Sequence, residues 1–161
     1  MVSHKSENLF QLLTGKRFVP DQELKKRKFI STSEKGTKYI LNLGRDGKNS
    51  VAFQVDGYII TDGSKCDKLI LIDLGANSWC EILVELKSHR NTSKAIEQLE
   101  NTLSSGKLFH VSNKIVRARI VAQAFPCNRA NPEVERAKQR FRARYNCELK
   151  NIKSHQPDNL I

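Results

Sequence analysis

No stretch of this sequence is apolar over anything near the roughly 20 residues that a bilayer span requires, and Met1 to Phe10 lacks the apolar segment of a secretory leader. Those absences predict a cytoplasmic protein with no membrane partner. Cys-x-x-Cys pairs are also missing. The four cysteines, Cys66, Cys80, Cys127 and Cys147, lie far apart and match no zinc-finger spacing, so they read as reduced thiols. Proline and glycine are sparse, at 4 and 8 residues, which argues against a disordered chain. The chain has no internal repeat, low-complexity linker, nucleotide-binding loop, sequence-reading recognition module or nucleophilic triad.

Positive charge is abundant. A formal net charge of +11 on 161 residues implies an anionic partner, and nucleic acid fits best in a chain without a basic membrane helix at its terminus. The charge is unevenly spread. Residues 1–48 carry 11 Lys/Arg against 5 Asp/Glu and residues 107–150 carry 11 against 3, whereas residues 49–106 hold 5 against 8. An acidic centre between basic flanks is what a phosphodiesterase needs, with cations to hold the polyanion and carboxylates to hold a metal.

The length fits a single domain spanning 1–161, with an N-terminal helix and basic segment over 1–48, a core over 49–150 and a short tail over 151–161. Ser6 is placed to cap a short helix with Leu9, Phe10 and Leu13 on its apolar face and Gly15 as its stop. Lys25-Lys26-Arg27-Lys28 reads as a solvated basic cluster. Tyr39 to Leu43 and Val51 to Ile60 read as extended, joined by a hairpin-type turn at Arg45-Asp46-Gly47-Lys48. After Asp62-Gly63 comes a buried strand, Lys65 to Asp73, a turn at Gly75 to Ser78, and a strand from Glu81 to Lys87. A helix from Asn91 or Thr92 to about Leu103 buries Ile96, Leu99 and Leu103. Lys114 to Ala124 returns as a strand. Asn131 caps and Pro132 opens a last helix with Val134, Ala137, Phe141 and Tyr145 inward, and a final strand covers Glu148 to Ile152. The order makes an α/β domain.

Glu-Leu-Lys occurs three times, at residues 23–25, 85–87 and 148–150, so the tripeptide alone selects nothing. Only the middle copy closes an apolar strand and follows a strand carrying an aspartate, Asp67. Residues i and i+2 of a strand share a face, so Glu85 and Lys87 point the same way. Asp67 reaches them if the two strands pair antiparallel across the Gly75 turn, from which Asp67 and Glu85 are about equally distant. Two carboxylates and a backbone carbonyl, that of Leu86, supply the hard oxygen ligands Mg²⁺ prefers, and the lysine can orient a water or stabilise the phosphoryl transition state. Spacing alone also allows an ordinary salt bridge from Lys87 to Glu85 or Asp67.

From Lys65 through Leu86-Lys87 and on into Lys94-Ala95-Ile96-Glu97-Gln98-Leu99-Glu100, the sequence resembles the PD-(D/E)xK nuclease superfamily, over about residues 50 to 150. The resemblance implies a restriction-endonuclease-like core, a central mixed β-sheet flanked by α-helices. It implies that Asp67 and Glu85 bind Mg²⁺ or Mn²⁺, that Lys87 assists hydrolysis of DNA or sometimes RNA, and that Gln98 flanks the site. Cys66 stands where the motif's nominal proline would be.

Asp56, Asp73 and Glu81 are further acids on or near strands, each able to add a ligand and each compatible with a solvated strand end. His89 lies two residues past the lysine and is given no catalytic role. The last helix carries Arg136, Arg140 and Arg144 on one ridge and Lys138 and Arg142 on another, offset only by Glu133 and Glu135 in the first turn, which suits a phosphate backbone. Lys114, Arg117 and Arg119 on the preceding strand are expected to extend that surface. The expectation is therefore a Mg²⁺-dependent endonuclease acting on DNA, as a homodimer or with a partner protein of a defence, restriction or toxin system. A non-catalytic nucleic-acid-binding or assembly protein on the same fold, and a basic inhibitor or adaptor of an acidic protein, are the rival readings.

Overall fold

The computed structural model describes residues 6–87, 92–125 and 132–161, so His89, Asn91, Cys127 and the cap expected at Asn131 lie outside the described residues. A six-stranded sheet forms the middle layer. Its strands are β1 (Gln22–Arg27), β4 (Lys48–Gln54), β5 (Lys68–Gly75), β6 (Ser78–Lys87), β7 (Asn113–Ala122) and β8 (Cys147–Lys153), adjacent in that order. The first four pair antiparallel, while β6, β7 and β8 run parallel. A mixed sheet results, as the α/β reading expects.

The parallel half needs crossovers, and these are α2 (Thr92–Ser104) between β6 and β7 and α3 (Pro132–Tyr145) between β7 and β8. Two crossovers of the usual right-handed sense, advancing in the same direction, carry their helices over one face. Leu99 of α2 and Phe141 of α3 indeed share one core with Leu9 and Leu13 of the short helix α1 (Leu9–Gly15). The cap of α1 is Asn8, whose side chain accepts the Gln11 N–H at 2.8 Å, and not Ser6.

The opposite face differs from the helix-flanked arrangement that the resemblance implied. It is covered by a second sheet of β2 (Phe29–Glu34), β3 (Thr37–Asn42) and β9 (Pro157–Asn159), whose Ile30, Tyr39 and Leu41 pack on Ile70, Ile72, Ile82 and Val84. The layers are thus helices, large sheet, small sheet. Among the described residues no helix is long and apolar enough to cross a membrane.

The basic segment and the tail are integral to this arrangement. β1 carries part of the Lys25–Lys28 cluster and extends the main sheet at its edge, while β9 in the tail pairs parallel with β3. The turn at Arg45-Asp46-Gly47-Lys48 does not make the expected hairpin, because β3 and β4 belong to different sheets. β4 is buried on both faces, with Val51 and Phe53 toward the helices and Ala52 toward the small sheet, so it takes an inner place in the large one. The hairpin partner of β3 is β2, joined through Lys35 and Gly36, both at positive φ as a two-residue primed turn requires.

Buried charge fastens the small sheet to the large one. Arg119 of β7, 1% exposed, meets Asp158 of β9 through Nε at 2.7 Å and Glu148 of β8 at 2.7 Å, and the Tyr39 hydroxyl donates to the same Asp158 oxygen at 2.6 Å. Burial raises the Asp158 pKa, but the Tyr39 and Arg119 hydrogen bonds outweigh it and hold the carboxyl below its ordinary value. Removing the guanidinium would strand that carboxylate. Arg119→Met is expected to cost about 3–5 kcal/mol in urea unfolding at neutral pH, and a loss under about 1 kcal/mol would show that the network does not fasten the sheets.

Candidate active site

The helix face of β6 carries Glu81, Leu83, Glu85 and Lys87, and the other face Ile82, Val84 and Leu86, as strand alternation dictates. Both faces are covered, so Trp79 through Leu86 are all buried. The turn that returns β5 onto β6 passes through Ala76 and Asn77, both at positive φ, and fixes a register in which Lys68 faces Val84. Asp67 is the residue just before β5. Its N–H donates to the Val84 carbonyl at 3.1 Å, and its Oδ2 accepts the Leu86 N–H at 2.8 Å, so the carboxylate takes over where the backbone ladder of β5 stops.

Asp67, Glu85 and Lys87 are brought together. Glu85 is 1% exposed; its Oε2 lies 2.8 Å from the Lys87 ammonium, while its Oε1 is buried with no hydrogen-bond partner among the described residues. Burial pushes the Glu85 carboxyl up to about 8, the charge of Asp67 adds to this, and Lys87 pulls the other way. A salt bridge is therefore present, but not the exposed, solvated one that spacing alone allowed. Among the described residues no three His, Cys, Asp or Glu side chains converge on one point, so a metal here would rest on two carboxylates and a carbonyl. The Leu86 N–H faces the Asp67 edge of β6, and in a strand the carbonyl of a residue points to the same edge as its N–H. The orphaned Glu85 oxygen, Asp67 beside it and that carbonyl form an all-oxygen donor set suited to Mg²⁺ or Mn²⁺.

Helix α2 holds the segment before Asp67 by its main chain. Thr102 Oγ1 accepts the Cys66 N–H at 2.9 Å and donates to the Gln98 carbonyl, and Asn101 donates to the Ser64 carbonyl at 3.0 Å. A proline at position 66 would have no N–H to give, so this chain uses a bond that the nominal motif lacks. Gln98 reaches the Lys65 carbonyl at 3.5 Å and hydrogen-bonds neither carboxylate, since its buried Oε1 has no partner among the described residues. Its place is beside the site, acting on the backbone that carries Asp67.

The other acids separate. Asp73 accepts the Gly75 N–H at the far end of β5, and Asp56 lies exposed in an isolated bridge. Glu81 is not at a solvated strand end: it is 4% exposed, and burial raises its carboxyl to about 8. Four residues along a strand put it about 13 Å from Glu85, too far to share a metal. Buried Cys66, Cys80 and Cys147 are free thiols.

The expected basic surface is corrected at several points. Arg119 is sealed in the charge network between the sheets and Arg117 donates to the carbonyls of Asn159 and Leu160, so neither extends the α3 surface. Alternation explains this: both share a face with Val121, toward the small sheet, while α3 covers the other face. Arg140 is clamped on Glu100 by two hydrogen bonds, at 2.7 and 3.0 Å, and Lys138 pairs with Glu135 at 3.2 Å. Arg136, Arg142, Arg144 and Lys114 remain exposed.

In the metal-free protein, stability should fall as pH rises from about 4.5 to about 8. In that window folded Glu85 and Glu81 retain protons that the unfolded chain has released. Urea midpoints for wild type and Glu85→Gln measure this, the variant having the shallower slope; equal slopes would mean that Glu85 titrates normally. No family model, curated protein or solved structure matches the chain, so the functional reading rests on this geometry.

Proposed function

We propose that this chain is a metal-dependent endonuclease with a restriction-endonuclease-like core, hydrolysing phosphodiester bonds in DNA. The observation that carries the reading is the meeting of Asp67 and Glu85 at the ends of neighbouring strands, with Lys87 against Glu85 and one buried Glu85 oxygen unpartnered. Two adjacent carboxylates repel in a low-dielectric site, and one ammonium offsets only part of that cost.

Asp67, Glu85 and the Leu86 carbonyl would hold Mg²⁺ or Mn²⁺. An ion bound there lowers the pKa of an attacking water and neutralises charge developing on the phosphate. Lys87 is set by its ion pair at the rim of the cluster, where an ammonium orients the water and stabilises the phosphoryl oxygens. Gln98, Asn101 and Thr102 are positioning residues, since they fix the backbone that aims Asp67. The exposed Arg136, Arg142 and Arg144 of α3 lie on the same side of the sheet as Glu85 and supply phosphate contacts. Cutting both strands of a duplex calls for a second site, which a homodimer or a partner protein of a defence system would provide.

Plasmid and single-stranded substrates incubated with the protein and Mg²⁺ or Mn²⁺ should be cleaved. Glu85→Gln and Lys87→Ala are expected to lower the rate by about 100-fold or more, and equal rates in all three proteins would sink the assignment. A second readout needs no turnover: Mn²⁺ should raise the melting temperature of wild type but not of Asp67→Asn. A shift unchanged in that variant would remove the metal from this site.

A further inference from the structure

Glu81 lies on the same helix-covered face of β6 as Glu85, yet the hydrolytic cluster does not use it. No ion pair among the described residues offsets its burial. It borders a cavity of about 360 Å³, within the usual size of a small-molecule site, enclosed by the C-terminal ends of α2 and α3 and the start of β7. Asn113 of β7 lines the same cavity. Its side chain lies against Glu81 and pulls that carboxyl's pKa part of the way back down, yet neither its Nδ2 nor its Oδ1, both buried, is in good hydrogen-bond geometry with any described residue. A buried carboxamide with no partner in hydrogen-bond geometry, beside a buried carboxyl whose desolvation it offsets only in part, is a costly arrangement that a ligand would relieve.

The rest of the cavity narrows the ligand. Leu83, Leu103, Val116 and Tyr145 form largely apolar walls, which suit a flat ring. Phe109, 77% exposed, stands at the margin with Lys114 and Arg144. His110 also borders the cavity but is already engaged: its Nδ1 accepts the Ser112 N–H at 3.1 Å, so Nε2 is the nitrogen that donates to the Ser6 carbonyl at 3.0 Å. A carboxamide offers a donor and an acceptor next to each other, the pattern that pairs with a nucleobase edge, and a carboxyl group meets an exocyclic amine or ring N–H. A lipid chain would leave the Asn113 carboxamide unsatisfied, and a sugar would waste the apolar walls.

We propose that this cavity is a nucleotide-binding site, in which a nucleobase enters between the apolar walls, hydrogen-bonds Glu81 and Asn113, and leaves its phosphate to Lys114 and Arg144. The nucleotide is either free or an unpaired unit of a strand. The site is distinct from the Asp67 and Glu85 cluster and does not depend on it.

Calorimetric titration of the full chain in EDTA, with AMP, GMP, CMP and UMP in one arm and short single-stranded oligonucleotides in the other, tests this apart from any metal chemistry. At least one base should bind saturably, and Asn113→Ala and Glu81→Gln should each weaken binding by about tenfold. Lys114→Ala should weaken a nucleoside monophosphate but not the matching nucleoside. In wild type, amide NMR signals of Glu81, Asn113 and Tyr145 should shift on titration, a readout that needs no variant to fold. Mononucleotide binding identifies a free ligand and binding of oligonucleotides alone identifies a strand; either supports the site. Unmoved signals at these three residues, or binding indifferent to Asn113→Ala and Glu81→Gln, would overturn it.

Discussion

Burial of two carboxyl groups on one face of a single strand is the constraint around which this molecule is arranged. Glu81 and Glu85 are both almost fully enclosed on β6, and burial raises the carboxyl pKa of each to about 8. Such groups cost folding energy unless paired. The fold tolerates them because β6 is otherwise apolar on both sides and sits between β5 and β7, with helices on one face and a second sheet on the other. One acid ends beside Asp67 and Lys87, the other beside Asn113, and the sheet keeps them apart.

The charges between the two sheets make an instructive contrast. Arg119, Asp158 and Tyr39 are about as deeply placed, but each finds partners, with the more exposed Glu148 closing the network, and the pKa values of Asp158 and Glu148 are held below their ordinary range. This chain can therefore satisfy buried charge where structure requires it. The helix-side acids are left short by the same chain, which separates groups that hold the fold together from groups available to something outside it.

Much of the acidic cluster was legible in the sequence because strand geometry is simple. Period-two alternation set Glu85 and Lys87 on one face, and the short turn at Ala76-Asn77 set the register that brings Asp67 across. Other features were illegible for specific reasons. Glu81 looked like a strand end because the strand begins three residues earlier than its apolar core suggests. Of the small sheet only β3 was legible as extended, because β2 is partly polar and joined to it by a Lys-Gly turn, and β9 is only three residues long. The separation of Arg117 and Arg119 from the α3 surface is visible in the sequence: Lys114 differs from them in parity, so the three cannot share one surface of a strand. Which acids would capture Arg140 and Arg119 depended on contacts between residues 29 to 40 apart, which no local pattern encodes.

The manner in which α2 grips the segment ahead of Asp67 has a consequence for how the sequence can drift. Gln98, Asn101 and Thr102 all bind main-chain atoms of Ser64, Lys65 and Cys66, so the grip is indifferent to the side chains that the segment carries. Substitutions at 64 and 65 leave those bonds intact, whereas changes at 101 and 102 remove them. Variation should thus be concentrated in the stretch next to the acid and withheld from a helix more than thirty positions downstream, so that in related chains the most faithful marker of the aspartate lies far from it in sequence.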